Sequence, residues 1–156
     1  MQLSSKGRYA VMAMADLAHF GEQTSPVRPI PIAAISERQN ISQAFLEQIF
    51  MQLRRAKLVE SSRGPGGGYS LAREADDISI YEIMQAVEEP VQMTRCSLDE
   101  VGGCVAGSRC LTHGLWQDLS QHIAQFLGET SLQDVLATPA LADQVFEATS
   151  DQQVQP

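Results

Sequence analysis

A chain of 156 residues with 44% hydrophobic side chains can bury one modest core but not two independent ones. Its net charge of −8 argues at first against a polyanionic partner, yet residues 1–75 hold nine Lys/Arg against six Asp/Glu and residues 76–156 hold two against thirteen. The three cysteines, an odd number within one glycine-rich segment, argue against a disulfide framework and for a reducing compartment. No apolar stretch is long enough to span a bilayer, so a cytoplasmic protein with no membrane partner is expected.

Lys6 and Arg8 ahead of an apolar run imitate the start of an export signal until Asp16 and His19 interrupt it. Residues 4–20 read instead as a first helix, with Ser4 or Ser5 as cap and Ala10, Val11, Met14, Leu17 and Ala18 forming one apolar stripe. Gly21 to Pro31, with three prolines, is a loop. Ile32 to Arg38 is a short second helix, Asn40-Ile41 a tight turn, and a third helix starts near Ser42 with Leu46, Ile49, Phe50 and Leu53 on its buried face. Short helix, turn and longer polar-faced helix is helix-turn-helix logic.

After Leu58 the period changes to two. Val59 and Ser61, then Tyr69 and Leu71, read as hairpin strands around Gly64-Pro65-Gly66-Gly67-Gly68. Ser79 with Glu82 makes a capping box for a fourth helix, carrying Ile80, Ile83, Met84 and Val87 and stopped by Pro90. From Leu115 a last long helix sets Leu115, Leu119, Ile123, Phe126 and Leu127 on one stripe, a candidate dimer surface or else a face folded back on its own domain. Leu132, Val135 and Leu136 suggest a further turn. The expected fold is mainly α, a winged helix-turn-helix with a small β-hairpin wing and a long C-terminal dimerisation helix. Its parts would be a DNA-binding domain over 1–90, a ligand loop over 91–113, the dimerisation helix and following turn over 114–136, and a polar, disordered tail over 137–156.

A helix reading the major groove needs short, outward-facing polar residues at its start, which here are Ser42, Gln43, Glu47 and Gln48. Gln pairs with adenine. Glu accepts from cytosine N4 and penalises sites where no donor meets it, so Glu47 is a possible discriminator. Arg63 at the hairpin tip has the chemistry for a narrow minor groove, and Gly64 and Gly66 let the backbone approach the sugar-phosphate. RGPGGG lacks the spacing and the strand-to-helix context of a nucleotide-phosphate loop. Lys6 and Arg8 are candidate phosphate contacts, and Arg54 and Arg55, facing solvent or a ligand, are further candidate DNA-binding residues.

The segment CSLDEVGGCVAGSRCLTH spaces Cys96, Cys104, Cys110 and His113 as C-x7-C-x5-C-x2-H. Three thiolates and an imidazole suffice for a metal centre, and spacing alone leaves zinc and an iron–sulfur cluster open. Four protein ligands leave no open catalytic position, and no nucleophile–base pair is evident, so no catalytic residue is assigned and an enzyme is disfavoured; an electron carrier is disfavoured because the basic half with its hairpin would have no purpose.

Together MQLSSKGRYAVMAMADLA, ISERQNISQAFLEQIFMQLRRAKLVESSRGPGGGYSL and CLTHGLWQDL with its two upstream cysteines resemble the IscR family of iron–sulfur-cluster-sensing winged-helix transcription regulators, over roughly residues 1–136. The N-terminal portion is shared by a wider group, some without a cluster. The three cysteines followed by LTH-x-LW carry the specific likeness. The resemblance implies a [2Fe-2S] cluster on Cys96, Cys104, Cys110 and His113, delivered by the cluster-assembly machinery. It also implies a homodimer on double-stranded promoter operators that represses or activates cluster-assembly genes. Seven residues between Cys96 and Cys104 exceed the common family spacing. The alternatives are a redox- or nitric-oxide-sensing regulator, or a zinc-binding one, of the same fold.

Overall fold

The computed structural model describes residues 4–22, 28–89 and 110–138. The chain runs α1 (Ser5–Glu22), α2 (Ile32–Gln39), α3 (Gln43–Arg55), β1 (Val59–Ser62), β2 (Gly68–Leu71), a 3-10 turn over Ala75–Asp77, α4 (Ile80–Ala86), α5 (His113–Glu129) and α6 (Leu132–Ala137). Helix α1 is the hub. Its stripe of Ala10, Ala13, Met14, Leu17 and Ala18 is fully buried, and it touches α2, α3, α4, α6 and β2. Three alanines in that stripe let so many neighbours approach one helix.

Helix α2 turns into α3 through Asn40, whose φ of 52° is left-handed, a conformation that Asn tolerates better than most residues. The Ser42 hydroxyl accepts the Phe45 N–H and starts α3. At the far end Lys57 adopts φ 59°, and the Leu58 N–H reaches back to the Leu53 carbonyl at 3.0 Å. This reverses the chain into β1, with Leu58 and Val59 buried.

The hairpin pairs Val59 with Leu71 through Ser62 with Gly68. At its tip the Gly67 N–H bonds the Gly64 carbonyl at 2.9 Å across Pro65 and Gly66. Gly66 sits at φ 77°, so this is a type II turn with Pro and Gly at its two central positions. Ile30 then pairs with Tyr69 (N–H···O distances 2.7 and 2.9 Å), so a Cβ at position 68 would run into the Ile30 carbonyl. The Tyr69 ring lies 4.6 Å from that of Phe50, which seats the wing on α3.

Helix α4 has the expected capping box on Ser79 and Glu82. It ends at Ala86, four residues before Pro90, because Glu88 takes φ 58° and the Glu89 N–H closes on the Met84 carbonyl at 3.0 Å. A left-handed residue, and not the proline, terminates it. Burial pushes the Glu82 carboxyl up, but the Ser79 N–H, the Arg73 guanidinium at 2.9 Å and the Ser79 hydroxyl outweigh it and hold the acid below its usual range. A carboxyl held low in the fold contributes stability above the unfolded value of about 4.3, and that contribution fades as pH falls through the folded value. Glu82→Gln is therefore expected to lower Tm at pH 7 and to change it less at pH 3, as followed by circular dichroism.

The last two helices return to the core. Ile80 N–H bonds the Thr130 carbonyl at 2.9 Å and Leu132 N–H bonds the Ile78 carbonyl at 2.8 Å, and Leu132 is completely buried. The further turn expected after Thr130 is thus α6, docked on α1 and on the 3-10 turn. The α5 stripe divides: Leu127 packs on the core, Ile123 is half-buried, and Leu115, Leu119 and Phe126 are 61%, 37% and 65% exposed. Apart from Ala137 and Thr138, the expected tail lies outside the described residues.

Candidate nucleic-acid interface and cysteine segment

The outward face of α3 carries Ser42, Gln43, Glu47 and Gln48, all exposed, with Arg54 and Arg55 at its end. Met51 is exposed on the same helix; one apolar residue in an amphipathic helix carries no pattern that marks it in the sequence. Gln43 Nε2 donates to Glu47 Oε1 at 3.1 Å, one helical turn away. Arg54 Nη1 donates to Ser61 Oγ at 3.2 Å, so this arginine ties α3 to the wing strand.

Arg63, Gly64 and Gly66 are exposed at the wing tip. Gly64 at φ 98° and Gly66 at φ 77° would meet nothing within 4 Å if given a Cβ. The turn accounts for both of them; a close neighbour does not. Arg8 is exposed and its guanidinium lies 6.0 Å from the Tyr9 ring. Tyr9 in turn meets Phe45 edge to face at 5.8 Å, which sets the basic start of α1 beside the start of α3. Lys6 is half-buried there.

One ion pair fixes the helix-turn-helix from behind. The Asp16 carboxylate, with no side-chain exposure, accepts Arg38 Nη2 at 2.6 Å, Arg38 Nε at 3.0 Å and Gln39 Nε2 at 2.8 Å. Arg38 also stacks on the Phe20 ring at 4.2 Å. Its pKa is raised, chiefly by the Asp16 hydrogen bond working against partial burial. In the sequence Asp16 is no more than a charge interrupting an apolar run, since its partners lie 22 and 23 residues away.

Two of the four expected metal ligands are described. Cys110 is a half-buried free thiol, its carbonyl accepts the His113 N–H at 3.1 Å, and its Sγ lies 3.6 Å from Thr112 Oγ1. Trp116 Nε1 donates to the same Thr112 oxygen at 3.2 Å. One turn at the start of α5 therefore offers a sulfur and an imidazole, a donor pair that suits an iron–sulfur cluster or zinc. Cys96 and Cys104 lie outside the described residues, and among the described residues no three His, Cys, Asp or Glu side chains converge. His19 and His122 are exposed.

Glu89, the last residue described before the cysteine segment, is tied to the start of α1. Glu89 accepts the Ser4 N–H at 2.9 Å and also the Ser4 hydroxyl, which caps α1 at the Gly7 N–H. A Cβ at Gly7 would come within 2.8 Å of Glu89 Cγ, so glycine is what admits this side chain.

A family model described as Rrf2, iron-dependent transcriptional regulator, matches residues 3–138. The chain belongs to the Rrf2 family. Among its relatives are the HTH-type transcriptional regulators IscR of Xenorhabdus nematophila, 48% identical over all of this chain and 92% of that protein, and of Photorhabdus laumondii, 49% identical over 92% of this chain and 84% of that one. Two solved Rrf2 folds are similar. The T. potens IscR structure has TM-score 0.69 and 31% identity, covering 100% of this chain and 94% of that chain. The B. subtilis global cysteine regulator CymR has TM-score 0.73 and 29% identity, covering 90% and 99%. This Rrf2 protein is a DNA-binding transcription regulator of winged-helix fold and belongs to a non-enzymatic class. No helix among its described residues is long and apolar enough to cross a membrane.

Proposed function

We propose that the protein is a homodimeric, cytoplasmic regulator of iron–sulfur cluster assembly genes that senses cluster supply through a [2Fe-2S] group on Cys96, Cys104, Cys110 and His113. The observation that carries this reading is the Cys110–His113 turn at the root of α5, where a free thiol and an imidazole stand three residues apart. Similar folds bear names for different signals, IscR in one case and a global cysteine regulator in another, so the donor set decides the signal and the fold does not. A [2Fe-2S] group bound there supplies a redox-active, removable occupant, and an imidazole ligand makes its environment less negative than four thiolates would. The residues themselves do the rest. Cys110 and His113 are positioned by the α5 start, while Glu89 fastens the other root of the segment to Ser4, two and four residues from Lys6 and Arg8. That attachment supports a mechanical route from segment to reading head, in which occupancy biases the start of α1.

In this reading 1–90 is the DNA-binding part, 91–113 the sensor and 114–136 the dimer helix. Ser42, Gln43, Glu47 and Gln48 face base edges, Lys6, Arg8 and Arg55 face phosphates, and Arg54 sets the wing. Arg63→Ala is expected to weaken operator binding roughly fivefold and to reduce the slope of affinity against salt. Fluorescence anisotropy at several salt concentrations checks this, and unchanged affinity would remove the wing from the interface.

Leu115, Leu119 and Phe126, with Ile123 beside them, supply the proposed dimer face. Six large hydrophobic residues are exposed among the described ones, and Leu111, Leu115, Leu119 and Phe126 among them lie on or beside α5. Phe126→Asp is expected to weaken self-association at least about tenfold, read by sedimentation over a concentration series. Donor-set identity is tested by metal and sulfide analysis.

A further inference from the structure

The carboxylate assigned the discriminating role already has a partner on its own helix. Gln43 is the first residue of α3, held in a capped turn by the Ser42 hydroxyl. Its amide Nε2 donates to Glu47 Oε1 at 3.1 Å, and both side chains are exposed on the outward face. The two residues are one helical turn apart, the spacing at which an amide and an acid meet without strain.

In free protein such a pair adds little, because water satisfies either group equally well. Against base edges the balance changes. A carboxylate pressed into the groove has lost its water, and if no base donor meets it the cost is that of an unsatisfied charged acceptor. That cost is what gives Glu47 its discriminating power. A donor carried by the same helix lowers it.

We infer that Gln43 is a specificity-setting residue that acts through Glu47: its amide N–H satisfies the carboxylate at base pairs offering no donor, so the protein accepts sites that Glu47 alone would reject. The inference rests on the reading of α3 as the base-reading helix and of Glu47 as its discriminator. It makes the Gln43–Glu47 pair, and not either side chain alone, the unit that sets how broad the range of operators is. It also distinguishes Gln43 from an independent adenine reader, whose effect would not depend on Glu47.

The test is a double-mutant cycle read as specificity. A tight-binding duplex is selected from a randomised pool with the unaltered protein. Its full set of single-base-pair variants is then measured at one salt concentration against the unaltered protein, Gln43→Ala, Glu47→Ala and the double variant. Both positions are exposed, and matched Tm values confirm that the fold is intact. The expected result is that Gln43→Ala widens the affinity ratio between the best and worst base pair at one position by roughly three- to tenfold, through the lost donor. In the Glu47→Ala background the same change should leave that ratio within about twofold.

Three results would overturn the proposal, each in a different way. If Glu47→Ala leaves every ratio unchanged, the discriminator reading itself has failed. If Glu47→Ala narrows the ratios while Gln43→Ala does nothing, only the role given to Gln43 has failed. If Gln43→Ala alters the ratios equally in both backgrounds, Gln43 reads a base directly. Gln43→Lys, which restores a donor long enough to reach Glu47, should return the ratio toward that of the unaltered protein even though its added charge raises affinity overall.

Discussion

Arg38→Ala is expected to destabilise the fold by about 2–3 kcal/mol and to lower Tm by roughly 8 °C. The substitution leaves the fully buried Asp16 carboxylate with one donor, Gln39 Nε2 at 2.8 Å, where it now has three. An uncompensated buried charge is among the few single changes with effects of this size. The guanidinium is 31% exposed, so water can enter part of its place, and the loss stays below that of a wholly buried pair. Loss of the stack on Phe20 adds to it. Replacing both partners by apolar residues, Asp16→Leu with Arg38→Met, should recover most of the loss, because no charge is then stranded. Denaturant unfolding of the two variants checks this, and equal stability of Arg38→Ala and the unaltered protein would show that the pair is ornamental. DNA affinity should fall in Arg38→Ala well below its Tm, since α2 holds α3 through the Asn40 turn.

Cys110→Ala is expected to abolish visible absorption and retained iron while far-UV circular dichroism stays unchanged. Cys110 lies outside the buried core and, among the described residues, its sulfur makes a 3.6 Å contact to Thr112, so its removal should cost the fold little. Its sulfur is one of the four proposed ligands, and a cluster left with three of them would not be retained. His113→Cys should instead keep the colour and lower the reduction potential by on the order of 100 mV, the direction in which a thiolate replaces a neutral imidazole. Colour that survives Cys110→Ala would mean that the ligands are misassigned.

The local grammar of the fold was legible wherever one element carried its own instructions. The stripe of Leu46, Ile49, Phe50 and Leu53 placed α3, Gly64-Pro65-Gly66 wrote its own type II turn, and Ser79 with Glu82 announced α4. Pairings between distant segments were not legible. Nothing in a period of 3.6 or 2 marks Asp16 as the partner of Arg38, or shows that Gly68 must be bare because Ile30 crosses it. Leu132 looked like part of a terminal turn because only the return of the chain at Ile78 and Ile80 makes it a core residue. Pro90 was the obvious stop for α4, yet Glu88 ends the helix first through a backbone conformation that its residue type does not advertise.

The candidate site divides in the same way. Outward positions on α3 followed from its buried stripe, whereas the Gln43–Glu47 and Arg54–Ser61 bonds needed side-chain geometry. The soft donors were plain in the sequence as residue types. Their use as a set rests on a segment that includes Cys96 and Cys104, outside the described residues.

Iron, acid-labile sulfide and zinc should be counted in protein purified without oxygen, with a visible spectrum of the same sample. About two iron and two sulfide per chain with charge-transfer bands is the predicted result. A colourless protein holding one zinc per chain would contradict the sensor assignment and leave a winged-helix DNA-binding protein that answers to a different signal.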